Sequence, residues 1–125
     1  MIEDGWRERL EAFFELRASS ITERPTLEDL CYIAGRNPRL WADERLLDDL
    51  RFDMLALMKV GQSSSILEVG CAAGFLAKVV APSVSEYTGV DLADAPLAVA
   101  KRLGLTNANF ERARGESLQF PDRRF

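Results

Sequence analysis

The sequence predicts an α/β domain built on a parallel sheet and preceded by an N-terminal helical segment. Three observations carry that prediction. The apolar period changes near Gly61, from three- and four-residue steps to short continuous apolar runs. Beyond that point strand-like and helix-like runs alternate, the pattern of βαβ crossovers. Glycine, proline and asparagine punctuate the joins. The 125 residues therefore divide into a helical segment at 1–60 and an α/β segment at 61–125.

In the first helix Trp6, Leu10, Phe13, Phe14 and Leu16 recur at helical steps, with Glu3, Arg7, Glu8, Arg9 and Glu11 between them. A second helix starts at Thr26, a hydroxyl N-cap followed three residues on by Asp29, and ends at Gly35 before the Asn37-Pro38 turn. A third is expected from Ala42 to Lys59, with an apolar stripe through Leu46, Leu47, Leu50, Met54, Leu55, Leu57 and Met58 and its C-cap near Gly61. Trp6, Trp41 and the Phe13-Phe14 pair are expected to pack in the core or an interface.

Ser65-Ile66-Leu67-Glu68-Val69 then reads as a strand buried on both faces. A helix from Phe75 to Val80 is closed by Ala81-Pro82. Tyr87-Thr88-Gly89-Val90 is a second strand, rich in aromatic and β-branched residues. Pro96 to Leu103 forms a second helix, with Gly104 behind it, and Asn109-Phe110-Glu111 a weak third strand. Right-handed connections order the strands 3-2-1, with helices expected on both faces.

Composition bounds the function. With 47% hydrophobic and 29% charged residues, the chain is an ordinary globular one, long enough to bury a core. A net charge of −4 disfavours a nucleic-acid surface, and the Arg112, Arg114, Arg123, Arg124 group reads as a solvated loop. Cys31 and Cys71 form no CxxC pair, which favours a reducing, cytoplasmic setting. The absence of histidine removes the commonest zinc ligand and the commonest general base, so no metal site is expected. The N-terminus carries no signal-peptide pattern, and no apolar run approaches the roughly 18 residues of a membrane span. A soluble protein with neither a nucleic-acid nor a membrane partner is expected.

In such a sheet the ligand belongs at the carboxyl ends of the strands. The first strand runs there into Glu68-Val69-Gly70-Cys71-Ala72-Ala73-Gly74, whose small residues at every second position let the backbone turn tightly against a ligand. The helix that follows offers free N–H groups to an anion. A dinucleotide fingerprint, G-x-G-x-x-G, would need glycine at Phe75, so that reading fails. Asp91 ends the second strand, where a carboxylate accepts from both hydroxyls of a ribose. Leu92 beside it offers an apolar surface to a base. The loop Arg114 to Phe125 follows the third strand.

Taken together, these turns resemble the class I S-adenosylmethionine-dependent methyltransferases. Glu68 to Gly74 is similar to their glycine-rich first motif, Val90-Asp91-Leu92 to their acidic second motif, and Arg114 to Phe125 to a loop read as D-A-E-x-L-P-F-P-D-x-x-F. The resemblance covers Ser65 to Phe125 and implies a partial Rossmann-like sheet, strands one to three of that fold. It further implies that Glu68 and the backbone Gly70, Cys71, Ala72, Ala73 and Gly74 hold the methionine amino and carboxylate groups of S-adenosylmethionine. On the same basis Asp91 holds the ribose, Leu92 packs on the adenine, and N–H groups around Gly115 and Glu116 address the adenine edge. S-adenosylhomocysteine is the implied product and a small molecule the implied methyl acceptor. Two positions depart from the pattern: Ala72 stands at the middle glycine, a mild change if its φ is negative, and Arg114 stands at the usual Asp, where a guanidinium cannot accept from the adenine amino group.

Other uses of these residues remain open. Glu68 as a solvated strand-end charge is disfavoured, since an acid inside an apolar run is costly without a partner. Asp91 also suits an N-cap. Cys71 reads as a small buried filler, and Trp41 has a cofactor lid as its second reading. No catalytic residue is assigned. The family's acceptor site comes largely from strand four onward, so these residues alone are expected to be inactive, with the edge of strand one open to self-association or covered by the N-terminal helices. The alternative function is a non-catalytic binding or assembly module that keeps the fold; a dehydrogenase-type nucleotide domain is disfavoured by the glycine spacing.

Overall fold

The computed structural model describes residues 2–125. Four helices come first: α1 (Ile2–Ser19), α2 (Leu27–Ala34), α3 (Pro38–Trp41) and α4 (Glu44–Met58). Then β1 (Ser65–Val69) leads through α5 (Phe75–Val80) and a 3-10 turn at Ala81–Ser83 to β2 (Glu86–Asp91), and β2 leads through α6 (Asp94–Lys101) to β3 (Ala108–Arg112). The strands are parallel in the order β1-β2-β3. This is the partial Rossmann-like α/β architecture expected from the alternation, behind a helical segment.

The register divides the side chains between two faces. Ile66, Tyr87 and Ala108 form one row and Glu68, Gly89 and Phe110 the next, alternating with Leu67, Thr88, Asn109 and with Val69, Val90, Glu111. Tyr87 and Phe110 belong to the core with Phe75, Ala77 and Val79 of α5 and Leu97, Val99 and Ala100 of α6. On the opposite face runs the segment after β3. A Cβ on Gly115 would stand 3.0 Å from Val69 Cγ1, and Arg124 pairs with Glu86. Helices on both faces, as the sequence suggested, are thus not what forms. Two right-handed crossovers stepping in the same direction put both helices on one side.

Strand β1 is also less buried than its apolar run predicted: its residues are half-buried and Val69 is 55% exposed. It lies at the edge of the sheet, with β2 on one side only.

Among the helices, α2 forms as its caps dictate. Thr26 and Asp29 make a reciprocal capping box, and Gly35 closes the helix at φ 70°. The third predicted helix forms as α4, and a short helix that was not predicted precedes it. Asn37 accepts from the Arg39 N–H and Pro38 sits at the first turn, so the presumed turn nucleates the four-residue α3. Asp43 then caps α4, and Lys59 at φ 55°, not Gly61, makes its left-handed C-cap. In α1 the apolar stripe faces two ways. Ala18 is fully buried and Leu10 and Phe14 turn inward, whereas Trp6, Phe13 and Leu16 are exposed, so of the two expectations, core or interface, Trp6 and Phe13 do not meet the first. Helix α1 docks on α6, where the N-cap Ala93 has no side chain to offer. Glu15 of α1 supplies the missing acceptor, taking the Ala95 N–H at 2.9 Å.

Candidate functional site

The turn from β1 to α5 is built on left-handed backbone at every second residue: Gly70 at φ 81°, Ala72 at φ 47° and Gly74 at φ 89°. That alternation is the physical reason small residues recur at this period. Ala72 corrects the expectation of a mild replacement, because its φ is positive. Gly74 is required twice over, since a Cβ there would also lie 2.8 Å from Leu103 Cδ1.

Most of the turn's N–H groups are already engaged. Gly70 and Cys71 both donate to the Val90 carbonyl, at 2.8 and 3.0 Å, Ala72 donates to Asp91 Oδ2 at 2.8 Å, and Gly74 donates to the Cys71 carbonyl at 3.0 Å. The carbonyls of Gly70 and Ala73 take none of the described hydrogen bonds. The turn therefore suits a donor such as an ammonium group better than an anion. Helix α5 spans only six residues, too short for a strong dipole contribution.

Asp91 links the two βα turns. Its Oδ2 accepts from Ala72 and its Oδ1 from the Ala93 N–H at 3.2 Å, two residues on. It is thus an Asx-type acceptor, not the N-cap, a place taken by Ala93. Each oxygen keeps a second lone pair. Asp91 lines a largely apolar cavity of about 220 Å³ together with Gly70, Ala72, Leu92, Ala93 and Gly115, and α1 closes it with Leu10 and Phe14.

A second cavity, of about 500 Å³, shares Phe14, Gly70 and Ala72 with the first. Its walls include Glu68, Cys71, Arg36, Trp41, Leu50, Met54 and Phe75. Glu68 Oε1 accepts from the Tyr87 hydroxyl at 2.6 Å. Desolvation holds the Glu68 carboxyl above the usual carboxylate range; the Tyr87 hydrogen bond and the charge of Arg36 oppose the rise, and Asp91 adds to it. The Arg36 guanidinium lies over Trp41 and Phe75, 4.7 Å from each ring, and makes no hydrogen bond or ion pair among the described residues. Cys71 is buried against Gly89, where a Cβ would meet its Sγ at 2.9 Å, and burial pushes its thiol up, away from reactivity.

The structure thus brings Glu68, Gly70, Cys71, Ala72, Asp91, Leu92 and Gly115 to the two cavities. Ala73 and Gly74 instead face the core, and Glu116 is exposed and paired with Arg7 of α1 at 3.0 Å. Arg114 borders a smaller neighbouring hollow with Arg7, Glu11 and Arg112 and does not line the first cavity. Trp41 walls the second cavity and meets Phe75 edge-on at 6.2 Å between centroids. Sequence reasoning missed Leu10, Phe14, Arg36 and Tyr87. Only Phe14 gave a signal, as the inward half of an aromatic pair. Among the described residues no three metal-ligating side chains cluster, and no helix is long and apolar enough to cross a membrane.

Comparison with known proteins agrees with this geometry. The family described as "Methyltransferase domain" matches residues 66–125. The YcgJ protein of Bacillus subtilis is 30% identical with a TM-score of 0.52, over 58% of this chain and 32% of its own. The [4+2]-cyclase SpnF is 26% identical with a TM-score of 0.53, over 60% of this chain and 30% of its own. The chain spans about a third of the length of these two structures. No curated protein matches. With its parallel sheet, its glycine-rich first turn and its acid at the end of β2, the segment 66–125 is similar to the class I S-adenosylmethionine-dependent methyltransferases.

Proposed function

We propose that this chain supplies the S-adenosylmethionine site of a methyltransferase acting on a small molecule. The observation that carries the proposal is Asp91, a carboxylate at the end of β2 whose two oxygens are pinned by backbone N–H groups while it lines an apolar cavity. That cavity has the character of an adenosine site: Asp91 for the ribose hydroxyls, Leu92 and Phe14 for the flat base, and Gly115 for close backbone approach. The larger cavity beyond Gly70 and Ala72 suits an amino-acid end. Glu68 and the free Gly70 carbonyl take an ammonium group, and Arg36 takes a carboxylate, a role the occupied turn amides leave to it. When bound, the cofactor supplies a methyl group on a sulfonium. The chain's own residues contribute position and exclusion of water, with Leu10 and Phe14 of α1 over one cavity and Trp41 and Phe75 beside the other.

A small-molecule acceptor is supported by the acidic net charge and by the apolar wall of Leu50, Met54 and Trp41, which α3 and α4 present to the second cavity. Both cysteines are free and buried, in keeping with a cytoplasmic setting. The open edge of β1, with Val69 exposed, supports contact with a second copy. A second reading, a binding protein or an enzyme of another reaction on the same fold, draws on the likeness to SpnF, whose name states a cyclisation.

Isothermal titration with S-adenosylmethionine and S-adenosylhomocysteine, with Asp91→Ala as control, tests the proposal. Binding of both by the parent chain, and a loss of roughly tenfold or more in the variant, are expected from removing a charge-assisted contact. A folded parent chain that binds neither would refute it.

A further inference from the structure

Tyr87 lies wholly inside the protein, fully buried in the middle of the helix-covered face of the sheet. A buried phenol needs a partner for its hydroxyl, and here the partner is the acid on the neighbouring strand, two residues beyond Ile66, which stands opposite Tyr87: Tyr87 Oη donates to Glu68 Oε1 at 2.6 Å. Glu68 Oε2 takes no hydrogen bond among the described residues, yet it is not among the buried, unpartnered atoms, so it opens toward the cavity that Glu68 lines.

We propose that Tyr87 is the positioning residue of this site: its phenol fixes Glu68 in one rotamer, occupies one carboxylate oxygen, and leaves the other, charged, as the acceptor for a ligand's ammonium group. The inference rests on the amino-acid-end reading of the second cavity and adds to it a residue that never touches the ligand. The chemistry is one-directional. Tyr87 is a donor whose own ionisation is opposed by burial and by Glu68, so it stays protonated and always stabilises the carboxylate over the carboxylic acid. The other groups facing Glu68 are Asp91 at the end of β2, unfavourable to its charge, Arg36 from the loop between α2 and α3, which favours it, and the Cys71 thiol in the turn, which burial and the Glu68 charge keep protonated and neutral. Without the phenol, Glu68 would be a desolvated acid with one distant cation in its favour and would protonate more readily.

The test is the pH profile of S-adenosylhomocysteine affinity for the parent chain, Tyr87→Phe and Glu68→Gln, with folding checked by circular dichroism. Tyr87→Phe should weaken binding several-fold at about pH 6 and approach the parent at about pH 8, since a hydrogen bond to a charged group shifts such an equilibrium by roughly tenfold at most when the group is half-titrated. Glu68→Gln should be weak throughout and flat with pH. An equal loss at every pH in Tyr87→Phe means a merely structural role and overturns the proposal. The carboxyl carbon of Glu68, followed by NMR in the ligand-free protein, separates this outcome from failure of the cofactor reading. Its titration should move to higher pH in Tyr87→Phe whether or not any nucleoside binds, and coincident titrations would overturn the proposal. Should Tyr87→Phe fail to fold, the parent spectrum decides by itself: a Glu68 carboxyl carbon insensitive to replacement of the phenol proton by deuterium has no bond to Tyr87, and the proposal fails.

Discussion

Replacing Ala72 by glycine should stabilise this protein. Ala72 holds φ at 47° between two glycines that also lie in the left-handed region. An L-residue there has its Cβ crowding the backbone at a cost of about 1–2 kcal/mol, which glycine avoids. Glycine in turn loses more freedom on folding, about 0.4–1 kcal/mol relative to alanine. The difference leaves a gain of about 0.5–1 kcal/mol. Unfolding 125 residues at about 2.1 cal/mol/K each gives an entropy near 0.26 kcal/mol/K, so Tm should rise by about 2–4 °C. The hydrogen bond from Ala72 to Asp91 is a backbone one and survives the change. Thermal and urea melts of the parent, Ala72→Gly and Ala72→Val check the reasoning, with the β-branched variant expected to lose stability because such residues are outliers at positive φ. A Tm lowered by more than about 2 °C in Ala72→Gly, beyond what the entropy of glycine accounts for, would show that the methyl group packs favourably and that no strain is stored at this turn.

Gly89→Ala should destabilise by about 3 kcal/mol, the upper range for overpacking, because its Cβ would fall within 3.0 Å of Cys71 Cβ, Cys71 Sγ and Phe110 Cδ1; a melt within 2 °C of the parent, roughly 0.5 kcal/mol, would contradict the packing described. Thr88→Val should raise stability by about 1 kcal/mol, since the buried hydroxyl has no hydrogen-bond partner and valine keeps its shape; a lower urea midpoint would mean the hydroxyl is satisfied. Glu68 should make stability fall as pH rises. Its folded-state pKa is raised above the 4.5 of the free group, so its contribution is fully present below that value and is lost as pH rises through the folded one. Glu68→Gln should therefore be the more stable protein at neutral pH and flatten the profile, and a variant less stable at neutral pH would reverse the sign of that argument.

What the sequence revealed, and what it hid, follows from the range of the interactions involved. The α2 caps, the two crossovers and the turn residues are local: Thr26 and Asp29 are three residues apart, and the alternation Gly70, Ala72, Gly74 reports its own dihedral angles. Asp91 and Leu92 could be placed because the end of a parallel strand has a fixed position relative to the first turn. Long-range pairings left no such trace. Arg36 reaches the site only because α3 turns Trp41 back over Phe75, and the Asn37-Pro38 pair read as a plain turn. Tyr87 looked like any strand aromatic until its register opposite Ile66, diagonal to Glu68, was known. Periodicity marked α1 as amphipathic but not as two-sided, so the exposed Trp6 and the cavity-lining Phe14 shared one prediction. Ala73 and Gly74 were assigned with the turn as a unit, although the chain has turned into the core by Ala73 and only Gly70, Cys71 and Ala72 line the cavities.

The two acids of the site are matched to different jobs by what surrounds them. Asp91 receives two backbone N–H groups, so much of its charge is already compensated. What remains are lone pairs suited to neutral hydroxyls, and a ribose offers two of them. Glu68 receives a single phenol and is desolvated, with Asp91 near enough to disfavour its charge further. A carboxylate so placed gains most from a ligand that brings a full positive charge, because the ligand removes the repulsion as well as filling the open oxygen. Arg36 completes the arrangement from the other side, held flat against Trp41 and Phe75 with its donors uncommitted. On the proposed reading, an ammonium group at Glu68, a carboxylate at Arg36 and a pair of hydroxyls at Asp91 together call for an amino acid joined to a nucleoside, with Gly70 and Ala72 lining both cavities between them.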